Sequence, residues 1–360
     1  MGAADGRMST DTPRPVSRQL RAALQRAEGS CDPALRLREL VAQGLDALPL
    51  PGAGRTLERW RALAAVAGHN LSLAKLYEGH TDALAILEEL DNGPGGRERV
   101  GAGGIWGVWA SEGSDARVSI ESDSTGEPGA VVLRGVKHWC SGAGTGSHAL
   151  VTAWDPAESC SQLVRVDLAQ PGVEVYSDQW KAVGMSGSAS LQVRFHAVRA
   201  CRVGAAGAYV SRPGFWHGGA GIAACWYGAA VALADAFHQS ISQGTPALRS
   251  PFRLAAAGRV DVMLQGVSLM LRQTAGWVDQ HPFEDASLAA LRVRLAAARC
   301  ATQVLEEVGA AWGPTPYCAD AAFAQMAADL PVFVRQSHAD RDYAALGEKL
   351  ASREDDLWSL

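Results

Sequence analysis

The 360-residue chain carries little excess of either charge, with 33 lysines and arginines against 38 aspartates and glutamates and a formal net charge of −5. It has no Lys/Arg-rich block, which excludes nucleic acid as the main partner, because phosphate binding needs a basic footprint. Its seven cysteines, at 31, 140, 160, 201, 225, 300 and 318, are odd in number and never fall in a CxxC or other metal-ligand spacing. They read as reduced, small apolar, buried residues of a cytoplasmic protein, and no metal is expected. Long apolar runs are scarce: the stretch from Gly221 to Leu233 is interrupted by Trp226 and Tyr227 and falls short of the roughly 20 residues that span a bilayer. No membrane segment is expected, hence a soluble protein. The opening MGAADGRMSTDTPRPVSRQL has no charged start followed by an apolar core, so it does not read as a secretory signal. Residues 1–15 are expected to be disordered.

What is present is texture that changes twice. Hydrophobic residues make up 48% of the chain, enough for a sizeable core. Residues 16–102 are Ala/Leu-rich with apolar residues at helical spacing, which predicts three to five helices, and the turn-rich DNGPGG at 91–96 closes the run. Residues 103–205 hold seven short runs rich in Val, Ile, Trp and Thr between Gly, Ser, Asp and Pro, the pattern of a β-barrel or sandwich. From 206 to 350 the Ala-rich texture returns in four stretches long enough for a four-helix bundle, with Pro331 expected to end or kink the last near Leu330 and 351–360 left as a tail.

The α+β order, helical domain, β-domain and helical bundle, resembles the layout of the acyl-CoA dehydrogenase superfamily, and three stretches carry the resemblance further. IWGVWASEGSD (105–115), LRGVKHWCSGAG (133–144) and GMSGSASLQVRFHAVRA (184–200) are similar to the family's three β-domain motifs in order. The resemblance implies a flavin, FAD in this family. Trp139 would lie against the ring and the hydroxyl of Ser141 would meet its reactive edge, where charge develops on reduction. Gly107, Val108 and Ser114 would cover the pyrimidine end and pyrophosphate. Cys140 falls inside this motif.

Departures from the family pattern are as informative. Its Arg-x-x-Phe-Gly run, whose Arg in the family grips the pyrophosphate of a neighbouring subunit's flavin, is replaced by ALRSPFRLAAAGR, in which Arg249 or Arg253 can stand in as a bidentate phosphate clamp. Trp109-Ala110 replaces Glu-Pro, implying a bulkier lining. The Glu-Gly-Thr that supplies the family's carboxylate base is missing, and so is an acid near the alternative position on the first bundle helix. Three substitutes remain. His217, between Trp216 and two glycines, has a near-neutral intrinsic pKa and can act as a base, or it can be structural. His338 lies in the segment replacing the Glu loop, where flavin monooxygenases of this fold often carry a histidine. Asp329 precedes Leu-Pro, and its alternative is an exposed helix-end acid. His338, Arg341 and Asp342 fall at i, i+3 and i+4, the spacing of a paired helix face.

Three functions follow as expectations. The first is an FAD-dependent oxidoreductase that dehydrogenates an acyl thioester, on CoA or a carrier protein, with an electron-transfer flavoprotein as partner. The second is a flavin monooxygenase of the same fold fed by a flavin reductase. The third is a non-catalytic binding or oligomerisation protein. A homodimer or homotetramer is implied by the family.

Overall fold

The computed structural model describes residues 15–26, 29, 31–91, 103–112, 116–123, 127–243, 249–353 and 357–359. The N-terminal helices are α1 (Val16–Leu24), α2 (Pro33–Ala42), α3 (Thr56–Ala67) and α4 (Leu71–Leu90). Two start where the sequence supplies caps. Asp32 accepts from the amides of Ala34 and Leu35 with Pro33 just behind it, and Asn70 accepts from Leu73.

Seven strands follow: β1 (Trp106–Trp109), β2 (Val118–Ser122), β3 (Ala130–Cys140), β4 (His148–Asp155), β5 (Cys160–Asp167), β6 (Val173–Tyr176) and β7 (Leu191–Arg202). The order β4-β2-β3-β7-β5 closes on itself through a β4–β5 pairing, with β1 added parallel to β4 and β6 antiparallel to β7. The result is a small barrel. Its interior is filled by alternating residues such as Val118, Val131, Leu133, Val151, Val164, Val193 and Phe195. Between Lys137 and Cys140 the β3–β7 register slips, so that His138 and Trp139 together oppose a single residue of β7. This bulge puts Trp139 in left-handed backbone (φ 61°) and swings its side chain out of the barrel. Beside it Lys137 is buried, donates to the carbonyl and hydroxyl of Thr152, and has its pKa lowered by that burial to about 8.

The second helical part comprises α5 (Ala208–Ser211), α6 (Pro213–Ser242), α7 (Pro251–Gln280), α8 (Ser287–Trp312), α9 (Thr315–Ala319), α10 (Ala321–Val334) and α11 (Asp340–Ala351). Helices α6, α7, α8 and α10 share one hydrophobic core with α1 to α4, from Leu20 and Trp60 to Trp226 and Phe333. The Gly/Ala texture of α6 is what allows this: a Cβ on Gly228 would sit 2.2 Å from the Ala64 carbonyl oxygen of α3.

Several expectations are corrected. The fourth bundle stretch is two helices, parted at Ala339 (φ 42°), so His338 precedes α11 and meets Asp342 from outside the helix. Pro331 does not end α10, which runs one turn further because Phe333 and Val334 bury against the core. Cys31 and Cys318 are exposed rather than buried. Both α6 and α7 are long and apolar enough to cross a membrane by length and composition alone; 67% of the apolar window of α6 is buried, against 22% for α7.

One contact joins barrel and bundle. Gly184 lies so close to α10 that a Cβ there would sit 2.0 Å from the Ala328 carbonyl oxygen. Next to it Met185, in left-handed backbone, donates its amide to the Asp329 carboxylate at 2.5 Å, and Gln325 donates to the same oxygen at 2.8 Å. Asp329 is therefore a buried clamp, neither an exposed helix-end acid nor a base facing a site. Asp329→Ala strands the Met185 amide and should cost about 1–3 kcal/mol, lowering Tm by about 2–6 °C. Asp329→Asn, which keeps an accepting oxygen, should lose less than half of that; an equal loss in both thermal melts would contradict the clamp.

Candidate functional site

A cavity of about 1020 Å³ opens between the barrel, α4, α6, α8 and the segment joining α10 to α11. Its barrel wall is built from β1 and the β3 bulge. Gly107 and Val108 of β1 line it, and the first has no room for a side chain, since a Cβ would meet the Trp109 indole nitrogen at 2.7 Å. That indole is buried and donates to the Ser141 carbonyl at 3.0 Å, which ties β1 to the bulge. Trp139 stands open to the cavity at 62% exposure, with Trp180 edge-on to it at 6.4 Å. A large aromatic held in strained backbone, open to a cavity, is a platform for a flat ligand.

Behind this wall runs a line of hydroxyls. Ser141 Oγ lies 2.8 Å from Ser190 Oγ, which lies 3.1 Å from Ser188 Oγ, which donates to the Met185 carbonyl at 2.8 Å. Ser141 and Ser190 border the cavity, and Ser188 is fully buried. Cys140 points the other way, into the barrel core, and burial pushes its thiol well above the usual range. It is inert.

The helical wall is more polar than the sequence suggested. Glu78 and Asp82, one turn apart on α4, both line the cavity together with Lys75, Tyr209, Trp216 and Arg294. Glu78 is 3.8 Å from Lys75, while Asp82 makes no hydrogen bond or ion pair among the described residues. Burial within the fold pushes the Glu78 carboxyl up, reinforced by Asp82 and opposed by Lys75, Arg59 and Arg294. Burial likewise lowers Arg294, whose guanidinium donates to the Gly219 carbonyl and lies 3.7 Å from Asp342. Arg212 is taken up by Glu89 at 2.6 Å.

Five of the candidate catalytic and flavin-contacting residues line this one cavity, Gly107, Val108, Trp139, Ser141 and His338, as do Trp109 and Ala110. His338 is 63% exposed, its Nδ1 3.8 Å from the Asp342 carboxylate and its backbone amide donating to that group. Ser114 lies outside the described residues. The others point elsewhere. His217 is buried beside Gly52, its Nε2 has no partner among the described residues, burial lowers its pKa, and it does not line the cavity. Asp329 is the clamp described above. Arg249 donates to the Ile241 and Ser242 carbonyls at the C-terminal end of α6, and Arg253 donates to Ser240 Oγ at 2.6 Å; neither lines this chain's cavity.

No family model matches the sequence, and no curated protein matches it by sequence. Solved structures do match over nearly the whole length. Methanesulfinate monooxygenase of Pseudomonas fluorescens aligns at a TM-score of 0.76 and 20% identity, covering 94% of this chain and 96% of its own. Dibenzothiophene monooxygenase of Paenibacillus sp. A11-2 aligns at 0.74 and 20%, covering 94% and 96%, and has also been solved with FMN and indole. Butyryl-CoA dehydrogenase of Megasphaera elsdenii aligns at 0.78 and 14%, covering 98% and 99%. This chain has the acyl-CoA dehydrogenase fold. The expected order of helical, barrel and helical parts is thus shown, and the same fold carries dehydrogenases and monooxygenases.

Glu78, Asp82, Tyr209 and Arg294 were missed from sequence, although one signal was there. LYEGHTDAL sets two acids at i and i+4 inside an otherwise buried helix, a pattern a solvated face would place among other charges. Because the Glu78 pKa is raised on folding, its contribution favours the fold at acid pH and is lost as pH rises through the folded value. Glu78→Gln removes that loss. It should raise Tm by about 2 °C at pH 8, with the gain vanishing as pH falls to the ordinary carboxylate range near 4.5. A gain equal at both pH values would contradict a raised carboxyl.

Proposed function

We propose that this chain is a flavin-dependent oxidoreductase, and that its reaction is oxygenation of a small organic substrate by reduced flavin supplied from a separate reductase. The observation that carries the choice is that, of the three substitutes for the missing base, only His338 opens on the cavity. The residues present fit a flavin. Trp139 offers an exposed ring in strained backbone, Gly107 keeps β1 bare for close approach, and Ser141 brings a hydroxyl to the same wall. FMN, rather than the FAD that the family implies, is supported by structures of this fold solved with FMN. The named monooxygenases of this fold, one solved with FMN, support the same reading.

A bound reduced flavin supplies the electrons that activate oxygen. The chain's own residues do the rest. The aromatic lining of Trp106, Trp139, Trp180 and Trp216 keeps water from the reacting edge and accepts a flat apolar substrate. His338, exposed to the cavity and held by Asp342, passes a proton to or from the reacting oxygen. The apolar face that α7 leaves open, with Phe252, Val262 and Leu269, supports assembly as a homodimer or homotetramer.

Dehydrogenation of an acyl thioester is the second reading. It is favoured by the likeness to butyryl-CoA dehydrogenase and by Glu78, a cavity carboxyl able to take a proton. The two are separated by mixing the flavin-loaded protein with acyl-CoAs without oxygen, and by supplying FMN, a reductase, oxygen and aromatic heterocycles such as indole. Oxygenated product only with the reductase, and no bleaching by acyl-CoAs, is the expected result. His338→Ala should lower product formation about 100-fold with flavin affinity unchanged, while His217→Ala should alter neither. Bleaching by acyl-CoA alone would select dehydrogenation.

A further inference from the structure

The line of hydroxyls behind the cavity wall has one hydrogen per oxygen and three contacts to fill. Its far end is the Met185 carbonyl, which can only accept, so Ser188 must donate there. The hydrogen between Ser188 and Ser190 must then come from Ser190, and the one between Ser190 and Ser141 must come from Ser141. Running the line the other way would leave the Ser188 oxygen facing the Met185 oxygen at 2.8 Å with no hydrogen between them. Ser188 is fully buried, which fixes its donation to Met185, and Ser190, although it borders the cavity, fills the 3.1 Å contact to Ser188 only by donating into it. Ser141 therefore meets the cavity with lone pairs alone. It is an acceptor there.

On the reading of the cavity as a flavin site, this has a consequence for oxidation state. The polar edge of an oxidised flavin is mostly acceptors, with one N–H. Two-electron reduction adds N–H at the ring nitrogen that takes up hydride, turning an acceptor into a donor. We infer that Ser188 and Ser190 are positioning residues that lock Ser141 as an acceptor, so that this protein binds reduced flavin in preference to oxidised flavin. An acceptor pair facing an oxidised flavin is repulsive; the same oxygen facing reduced flavin gains a hydrogen bond. A monooxygenase that takes reduced flavin from a reductase and releases oxidised flavin needs this order of affinities.

The test is a pair of anaerobic titrations, one with oxidised FMN and one with dithionite-reduced FMN, on the full chain and on Ser190→Ala and Ser190→Thr. The intact protein should bind reduced FMN about tenfold or more tighter, which raises the bound midpoint potential by about 30 mV for each factor of ten. Ser190→Ala frees the Ser141 hydrogen to turn toward the cavity and should bring the two affinities within about twofold. Ser190→Thr keeps the hydroxyl and should keep the preference, and Ser188→Ala should lose it as Ser190→Ala does. Equal affinities in the intact protein would overturn the inference and leave flavin binding standing. A preference undiminished in both alanine variants would also overturn it. Failure to bind FMN in either state would instead overturn the flavin reading on which it rests.

Discussion

The Met185 amide donating to the buried Asp329 carboxylate is the contact on which the rest of the site hangs. It forces the 184–189 segment against α10, and only glycine at 184 permits so close an approach. That segment fixes Trp180, which donates to the Ser186 carbonyl, and holds its own Ser188 on the Met185 carbonyl. Both then bear on the bulge, Trp180 on Trp139 and Ser188 through Ser190 on Ser141. A helix of the bundle thus sets the position of the barrel's cavity wall. A carboxylate that cannot reach the cavity still shapes it.

The cavity divides by chemistry along the same line. Its barrel side is aromatic and hydroxylic, held by backbone irregularities: the β3 bulge, Trp139 at φ 61° and Met185 at φ 60°. Such conformations persist only where surrounding contacts over-determine them, and here Lys137 buried against Thr152 and the Trp109 indole on Ser141 do so. Its helical side is charged, with Glu78, Asp82 and Arg294 facing inward from α4 and α8. On the proposed reading, a flat ring would lie on the first side, with the substrate between it and the charged wall.

Much of this was legible in the sequence, for stated reasons. Seven strands follow from seven β-branched runs between turn residues, because a small barrel needs short strands with one covered face. Trp139 and Ser141, picked out because side-chain identity carries the family resemblance, both line the cavity. Arg249 and Arg253 were singled out because guanidinium geometry suits a phosphate, which says nothing of their contacts within the chain at the end of α6. His217 and Asp329 were misread because a lone titratable residue gives no sign of which side of its helix faces a cavity. Glu78 was overlooked because helical periodicity marks it as buried without saying that what lies beyond it is open space.

The central claim is that the Trp139 wall binds a flavin, and equilibrium titration of FMN followed by gel filtration tests it most directly. One FMN should be retained per chain, with at least about tenfold weaker binding in Trp139→Ala, the loss expected for one stacked aromatic, and unaltered binding in His217→Ala. Protein that leaves the column colourless, or Trp139→Ala that binds FMN as tightly as the intact chain, would contradict it.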